Sequence, residues 1–545
     1  LTGSISLQMK TDIPIIIYCP FEFVKHKESP YFQIPGFLYG SNNLNGSNGS
    51  QPKFDYGGEI GWPSSSKFYI RADRSTHNSV ITVSQGRVFC VGVKERINEV
   101  EYDREDEWES RYAYNGLMLD SSQDGIDVVG FTLGYENFPK RYTWVWDDPR
   151  TPRVEEYLSG WIKDQKGKII TTTAYYFADY AQEGIPAYGK ALKAYYEVIH
   201  EMPLKRASRE ESVRKTIEAT IENGWVEKDK FFFLSDNGEE GRNTGDVGWT
   251  GGMEVAYPML VAGLKFKEHR YIDIATKFMD NLAKVCVNQK SKLFYEEFYD
   301  GKWQVAGWWG RRADCYNWGD KPLHSAYVNG QASYYLLKSF IAMGKKSSSW
   351  KDVASTVINT ALQSQRDDGA LARFYNPENG NPVCYDGFQS CWFVPGITLL
   401  GVILQDEILL NKAEKALDYY YTWHLKGELY GTPMDTREAV DQEGNLAFIV
   451  ACVELHKARG KAKFIDYACV GLDYEFSWKF PYNTAFSNEP LRSMNWSSCG
   501  GSVTSTHNPH IHPMGNLIAG EMFYLYQQTG DNYISNRLKD TCVWG

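Results

Sequence analysis

From Gly184 onward two kinds of apolar segment alternate, and few folds accept such an alternation. "SSSWKDVASTVINTALQSQ" places Trp350, Val353, Ala354, Val357, Ile358, Ala361 and Leu362 at a 3-4-3-4 spacing with Ser and Lys between them, the pattern of a helix with one wet face. "GFQSCWFVPGITLLGVILQ" is apolar almost all round, so it demands burial on every side. Segments of this second kind begin near Ile185, Gly252, His324, Phe388, Glu443 and Pro513, and each is followed by an amphipathic partner. The repeat is about 55 to 72 residues long. A ring of helices buries its inner members on both sides and wets one face of its outer ones. Six inner and six outer helices therefore predict an (α/α)6 barrel over 184–545.

Residues 1–183 follow another period. "SKFYIRAD", "SVITVSQGRVFCVGVKE", "DGIDVVGFTLGY" and "KIITTTAYYF" are short alternating or β-branched runs broken by Gly, Asn and Pro. They predict an antiparallel β-sandwich, so the fold class expected is α+β: a β-sandwich domain over 1–183, then the barrel.

In such a ring, the connections from an outer helix to the next inner one emerge together at one end. Here these are the long ones (226–251, 287–323, 366–387, 425–442 and 472–512), and the reverse connections are short. Long loops on one face of a scaffold are where binding and chemistry concentrate.

Those loops interleave aromatic rings with carboxylates, amides and guanidinium groups. That mixture suits a sugar, whose CH faces stack on indole and whose hydroxyls bind forked polar groups. The residues expected to bind substrate are Trp249, Trp308, Trp309, Arg311, Arg373, Trp392 and Arg437, together with His507, His510 and His512 as one wall of the site. The histidines are separated by two residues and one, with no cysteine partner, so a substrate wall or a structural turn is expected before a zinc site. The recurring arginines suggest a uronic acid, because guanidinium grips carboxylate bidentately.

Cleavage of a glycosidic bond needs two carboxyls across it. Asp386, Asp246, Asp441 and Glu443 lie where inner helices begin and are the catalytic candidates, Asp386 first among them. The alternative role for Asp386 is helix capping, and of Asp441 and Glu443, which flank a helix start, one is expected to cap and the other to do chemistry. Glu254 falls within a buried helix, which is costly for a charge that is neither paired nor functional.

The layout resembles carbohydrate-active enzymes with an N-terminal β-sandwich and a C-terminal (α/α)6 barrel, the glucoamylase-like glycoside hydrolases among them. "QRDDGALARF" is similar to the Q-x-x-D-G segment that recurs between helices in such barrels. The resemblance implies hydrolysis of a glycosidic bond in an oligosaccharide or polysaccharide, commonly by inversion, with no metal or other cofactor in the chemistry. Three other readings stand beside it: a polysaccharide lyase using His or Tyr on a uronate, an isomerase or epimerase on a bare α/α barrel, which leaves the β-half unexplained, and a non-catalytic glycan-binding protein.

Composition narrows the partners. The net charge is −10 with no basic stripe, which argues against a nucleic-acid backbone. No apolar run has the length of a membrane span. Ten cysteines without a CxxC pair, several inside apolar segments, suit a reducing compartment and hence the cytoplasm. The first ten residues lack both an initiator Met and the apolar centre of a signal peptide. A targeting segment is thus expected to be absent or already removed, which leaves secretion or a periplasmic location as the other option.

Overall fold

The segments near His324 and Glu443 become helices whose first three turns have no wet face, whereas those near Gly252 and Pro513 keep exposed residues such as Val261 and Phe523. Helix α5 (Ala326–Ala342) buries every residue from Ala326 to Leu337, and α9 (Glu443–Arg459) every residue from Glu443 to Leu455. Their amphipathic successors bury one stripe each. In α6 (Ser348–Gln363) that stripe is Trp350, Ala354, Val357, Ile358, Ala361 and Leu362. The computed structural model describes residues 1–545 apart from 26–29, 47–51, 58–63, 102–111, 140, 144–153, 157, 182–186, 205–207, 228–231, 234–244, 250, 300, 308–321, 435–437, 485, 487–488 and 508–509.

Twelve helices lie among the described residues. Besides those three they are α1 (Tyr188–Ile199), α2 (Arg209–Gly224), α3 (Met253–Phe266), α4 (His269–Val285), α7 (Phe393–Leu404), α8 (Glu407–His424), α10 (Lys463–Ser477), α11 (Ala519–Thr529) and α12 (Asn532–Trp544). Each of α3, α5, α7, α9 and α11 packs on the next in that order, and each forms a hairpin with the helix that follows it. The hairpins close through short connections, and left-handed residues at Lys267, Gln405, Gly460 and Gly530 end four of the inner helices.

The first expected inner segment behaves differently. Helix α1 packs against the β-sheet and against α10, an outer helix, rather than beside α3. The reason is its pattern: Tyr188, Ala191, Leu192, Tyr195 and Tyr196 are buried along one face while Lys190, Glu197 and Val198 are exposed. One apolar face needs one neighbour, so nothing drives this helix into the ring. Helix α2 lies beside α4, where Glu218 accepts hydrogen bonds from Tyr271 and Arg270.

Eleven of the N-terminal strands form one continuous sheet. Its main path runs Ile17–Val24, Ile126–Leu133, Tyr112–Asp120, Arg96–Glu101, Ile169–Tyr180, Arg87–Val93, Ser79–Ser84, Tyr31–Ile34 and Leu38–Tyr39. The strand Arg96–Glu101 pairs with both arms, and its register shifts against Tyr112–Asp120. Phe68, Leu117, Val129 and Phe131 from one arm share a core with Phe32, Val80, Val91 and Ile170 from the other. The sheet is thus folded over one apolar interior.

Sheet and helices meet at Tyr39, whose ring stacks on Trp478 at 4.2 Å and whose hydroxyl pairs with Ser477 Oγ at 3.0 Å. Ser41 and Asn43 donate their backbone N–H groups to Glu428 at 2.6 and 3.0 Å. Among the described residues no helix is long and apolar enough to cross a membrane.

The inner helices approach so closely that side chains are excluded at one contact. A Cβ on Gly330 of α5 would stand 2.7 Å from the Trp392 carbonyl carbon and from the Phe393 nitrogen, both backbone atoms. Gly330→Ala is expected to cost about 1–3 kcal/mol in denaturant unfolding, the range for overpacking. Gly520 in α11 has nothing within 4 Å, so Gly520→Ala is expected to be neutral or to gain up to about 1 kcal/mol.

Candidate active site

The long connections are stitched into a collar above the starts of the inner helices by two- and three-residue strands. Gly245–Asp246 pairs with Glu297–Tyr299, and His324–Ser325 with Phe374–Tyr375. Asp441 bridges to Ser505, and Ser502–Val503 pairs with Ile511–His512. The histidine-rich loop therefore folds against the start of α9, on the predicted face.

Inside the collar a chain of hydrogen bonds joins two carboxyl groups. Glu443, the first residue of α9, accepts from Trp249 Nε1 at 2.9 Å. The Trp249 backbone N–H donates to Gln331 Oε1 at 2.8 Å, and the Gln331 amide donates to Glu254 Oε1. Trp249 holds φ at +67°, a left-handed conformation rare for a bulky residue and costly by roughly 1–3 kcal/mol. Gly252 (φ +55°) turns the same loop so tightly that a Cβ would lie 2.3 Å from Val247 backbone atoms. The turn from Gly245 to Trp249 is held under restraint, which aims the indole from the start of α3 toward the start of α9.

Glu254 keeps some contact with solvent while protein surrounds it deeply, and burial pushes its pKa up to about 8 against a partly offsetting hydrogen bond from Gln331. At neutral pH it carries its proton. Tyr327 stands within electrostatic reach of both Glu443 and Glu254, and burial raises its hydroxyl well above the usual range. Its hydroxyl is within hydrogen-bonding reach of the Trp392 indole, and Gln389 Nε2 is buried without a hydrogen-bond partner among the described residues. Buried polar groups are normally paired, so the open Gln389 donor beside the Tyr327–Trp392 pair leaves a position that can receive a polar molecule. The amino ends of α3, α5, α7 and α9 converge here and add positive potential.

The other expected catalytic residues sit elsewhere. Asp441 is fully buried, and its oxygens accept from Gly444 N at 3.1 Å and Thr432 N at 3.2 Å. It caps α9, with its pKa raised to about 7 by burial. Asp386 is exposed at the rim and accepts from Tyr430 Oη at 2.7 Å. It caps nothing, because the turn Gln389–Trp392 intervenes before α7. Asp246 is fully buried in the strand pair with Glu297, close to Glu296.

The expected substrate-binding residues divide similarly. Trp249 and Trp392 are buried and contribute their indole N–H edges rather than open stacking faces. Arg373 is wholly buried under the 384–388 loop and donates to the Asp386 carbonyl at 2.9 Å, so it secures that loop instead of gripping a ligand. His507 is buried, with its pKa lowered to about 3 by loss of solvent and by Lys53. His512 Nδ1 accepts from Met514 N at 3.2 Å and caps the turn Pro513–Asn516. His510 is exposed, its ring 5.3 Å from that of His512. Trp308, Trp309, Arg311 and Arg437 lie outside the described residues.

Gln331 and Tyr327 are not among the residues expected from the sequence. Their signal was present: an amide four residues beyond a tyrosine inside a helix with no wet face has no structural reason to be polar.

The raised carboxyls have a consequence for stability. Glu254 binds its proton more tightly when folded, so its contribution is complete below its ordinary 4.5 and is lost as pH rises through about 8. Asp441 and Asp473, raised to about 7, act in the same sense. Buried His324 and His507, lowered to about 3, and His424 and His512, lowered to about 4, oppose this only below their ordinary 6.5. The thermal unfolding midpoint is therefore expected to fall between pH 6.5 and 8, and Glu254→Gln to flatten that fall. A native midpoint level across this window would remove the case for a protonated Glu254.

No family model matches the sequence, and no curated protein matches it. Among solved structures the backbone is similar to that of a D-mannose isomerase, at 10% identity and a TM-score of 0.43 over 63% of this chain and 87% of that one. It is also similar to a family 76 α-mannanase from Bacteroides thetaiotaomicron, at 13% identity and 0.43 over 62% and 83%. A cellobiose 2-epimerase from Bacillus thermoamylovorans stands at 11% and 0.41 over 61% and 86%.

Proposed function

We propose that this protein is a carbohydrate-active enzyme that hydrolyses a glycosidic bond, with Glu254 as general acid and Glu443 as the carboxylate opposite it. The observation that carries the proposal is the linking of two carboxyls through Gln331 and Trp249 beside one hydroxyl. Glu254 holds a proton to about pH 8, while Glu443 is fixed by the Trp249 indole, and Tyr327 faces both. Glycoside hydrolysis needs two carboxyls: one carboxylic acid to protonate the leaving oxygen, the role a protonated Glu254 suits, and one carboxylate to act at the anomeric carbon.

The surrounding groups suit a sugar. Tyr327 and Gln389 offer a hydroxyl and an amide to ring hydroxyls. Asp386 and Tyr430 at the rim are placed to hold a sugar unit farther from the reacting bond.

The test is incubation with a panel of neutral and uronic oligosaccharides and polysaccharides, following reducing ends and unsaturated-uronate absorbance together. Reducing ends without that absorbance are the expected outcome; both rising together would make the protein a lyase. Glu254→Gln and Glu443→Gln are each expected to lower kcat by about 100- to 10,000-fold with the fold retained, the scale of general acid–base catalysis. In the native protein kcat/KM should decline above about pH 8 as Glu254 loses its proton, and the residual activity of Glu254→Gln should lack that limb. Asp386→Asn is expected to raise KM and leave kcat within a few-fold; a thousandfold loss of kcat would move the chemistry to the rim.

A further inference from the structure

Far from the collar, three side chains of unlike chemistry meet where the helical part returns to the sheet. His200 follows the last residue of α1, Cys499 lies in the turn before Ser502–Val503, and Asp540 is on α12. One ligand atom from each lies within 4.8 Å of the other two. Cys499 and Asp540 are buried, and the His200 side chain keeps 22% of its exposure. His200 Nε2 is 3.0 Å from Asp540 Oδ1. Cys499 forms no disulfide.

We propose that His200, Cys499 and Asp540 bind a divalent transition-metal ion, with zinc the best match to the donor set. Imidazole nitrogen, thiolate sulfur and carboxylate oxygen take zinc at about 2.0–2.3 Å. Tetrahedral ligands at such bond lengths lie about 3–4 Å apart. The observed separations need little adjustment to reach that.

The surroundings are those of a built site. Tyr196 donates to the other Asp540 oxygen at 2.8 Å and stacks on the His200 ring at 4.4 Å, so one residue orients two ligands. Gly500 (φ +96°) lets the turn close: a Cβ there would stand 2.3 Å from the Asp540 carbonyl oxygen. Asn483 Oδ1 accepts from Cys499 N at 3.2 Å and fixes the turn from the other side. A cavity of about 530 Å³, lined in part by His200, Glu201, Tyr482 and Asn483, gives an ion access from solvent.

Binding is an exchange of protons for metal. The Cys499 thiol, now directed at the Glu201 carbonyl at 3.1 Å, loses its proton to solvent as the metal–sulfur bond forms. The His200–Asp540 hydrogen bond gives way to one bond from each to the ion. Arg537, which donates to the Phe476 and Lys479 carbonyls, stands within electrostatic reach of Cys499. The ion would staple α1, which packs on the sheet, to the helix α12.

The test uses reduced, chelator-stripped full-length chain titrated with Co²⁺ alone and then with Zn²⁺ alone. A thiolate-to-cobalt charge-transfer band saturating at one ion per chain is expected, bleached by Zn²⁺, with a higher unfolding midpoint in zinc. Cys499→Ser and His200→Gln should each lose the band, and Cys384→Ser should keep it. Tyr196→Phe should weaken affinity by about 10- to 100-fold. No charge-transfer band in the native chain, or the same band in folded Cys499→Ser or His200→Gln, would overturn the site.

Discussion

Burial of the inner helices on both sides is the constraint on which the rest of this structure depends. A helix such as α5 has no wet face, so its neighbours must supply contact in every direction. That demand brings α5 and α7 together until only glycine fits at residue 330. It also fixes the outer helices, whose single apolar stripes have one surface left to cover. Chain direction then places every inner amino end at the same side, under the long connections.

The site follows from the same constraint. Polar groups inside a ring of apolar helices have no water to satisfy them, so they pair with one another or wait for a ligand. Gln331 and Trp249 pair, and in doing so they tie Glu254 to Glu443 across the ring. Burial alone then separates the carboxyls from ordinary surface acids, keeping Glu254 protonated at neutral pH. The strained Trp249 backbone is the local cost of aiming an indole from a loop into that interior.

Much of the fold could be read in advance because it rests on periodicity. Five of the six inner segments appear as consecutive inner helices, at starts that match the change from amphipathic to uniformly apolar sequence. The exception, α1, was misjudged because a run of Tyr and Ala looks apolar until Lys190, Glu197 and Val198 are seen on one exposed side. The site was less legible. Proximity to a helix start puts Asp386 ahead of Asp441 and Glu443, yet Asp386 lies at the rim and Asp441 caps a helix. Arg373, expected to face a ligand, is sealed beneath a loop, since a guanidinium that satisfies backbone carbonyls can be buried as well as exposed.

The sequence by itself determined which segments are helices, which faces are apolar and which connections are long, because each depends on residues near one another in the chain. Only the tertiary structure decided which polar side chains meet. Glu254, Gln331, Trp249 and Glu443 come from three separate stretches, and His200, Cys499 and Asp540 from three others. Their distances are set by how helices pack across the ring and where the chain returns, and no local pattern records that. A carboxyl's environment, and with it its protonation, belongs to the assembled interior.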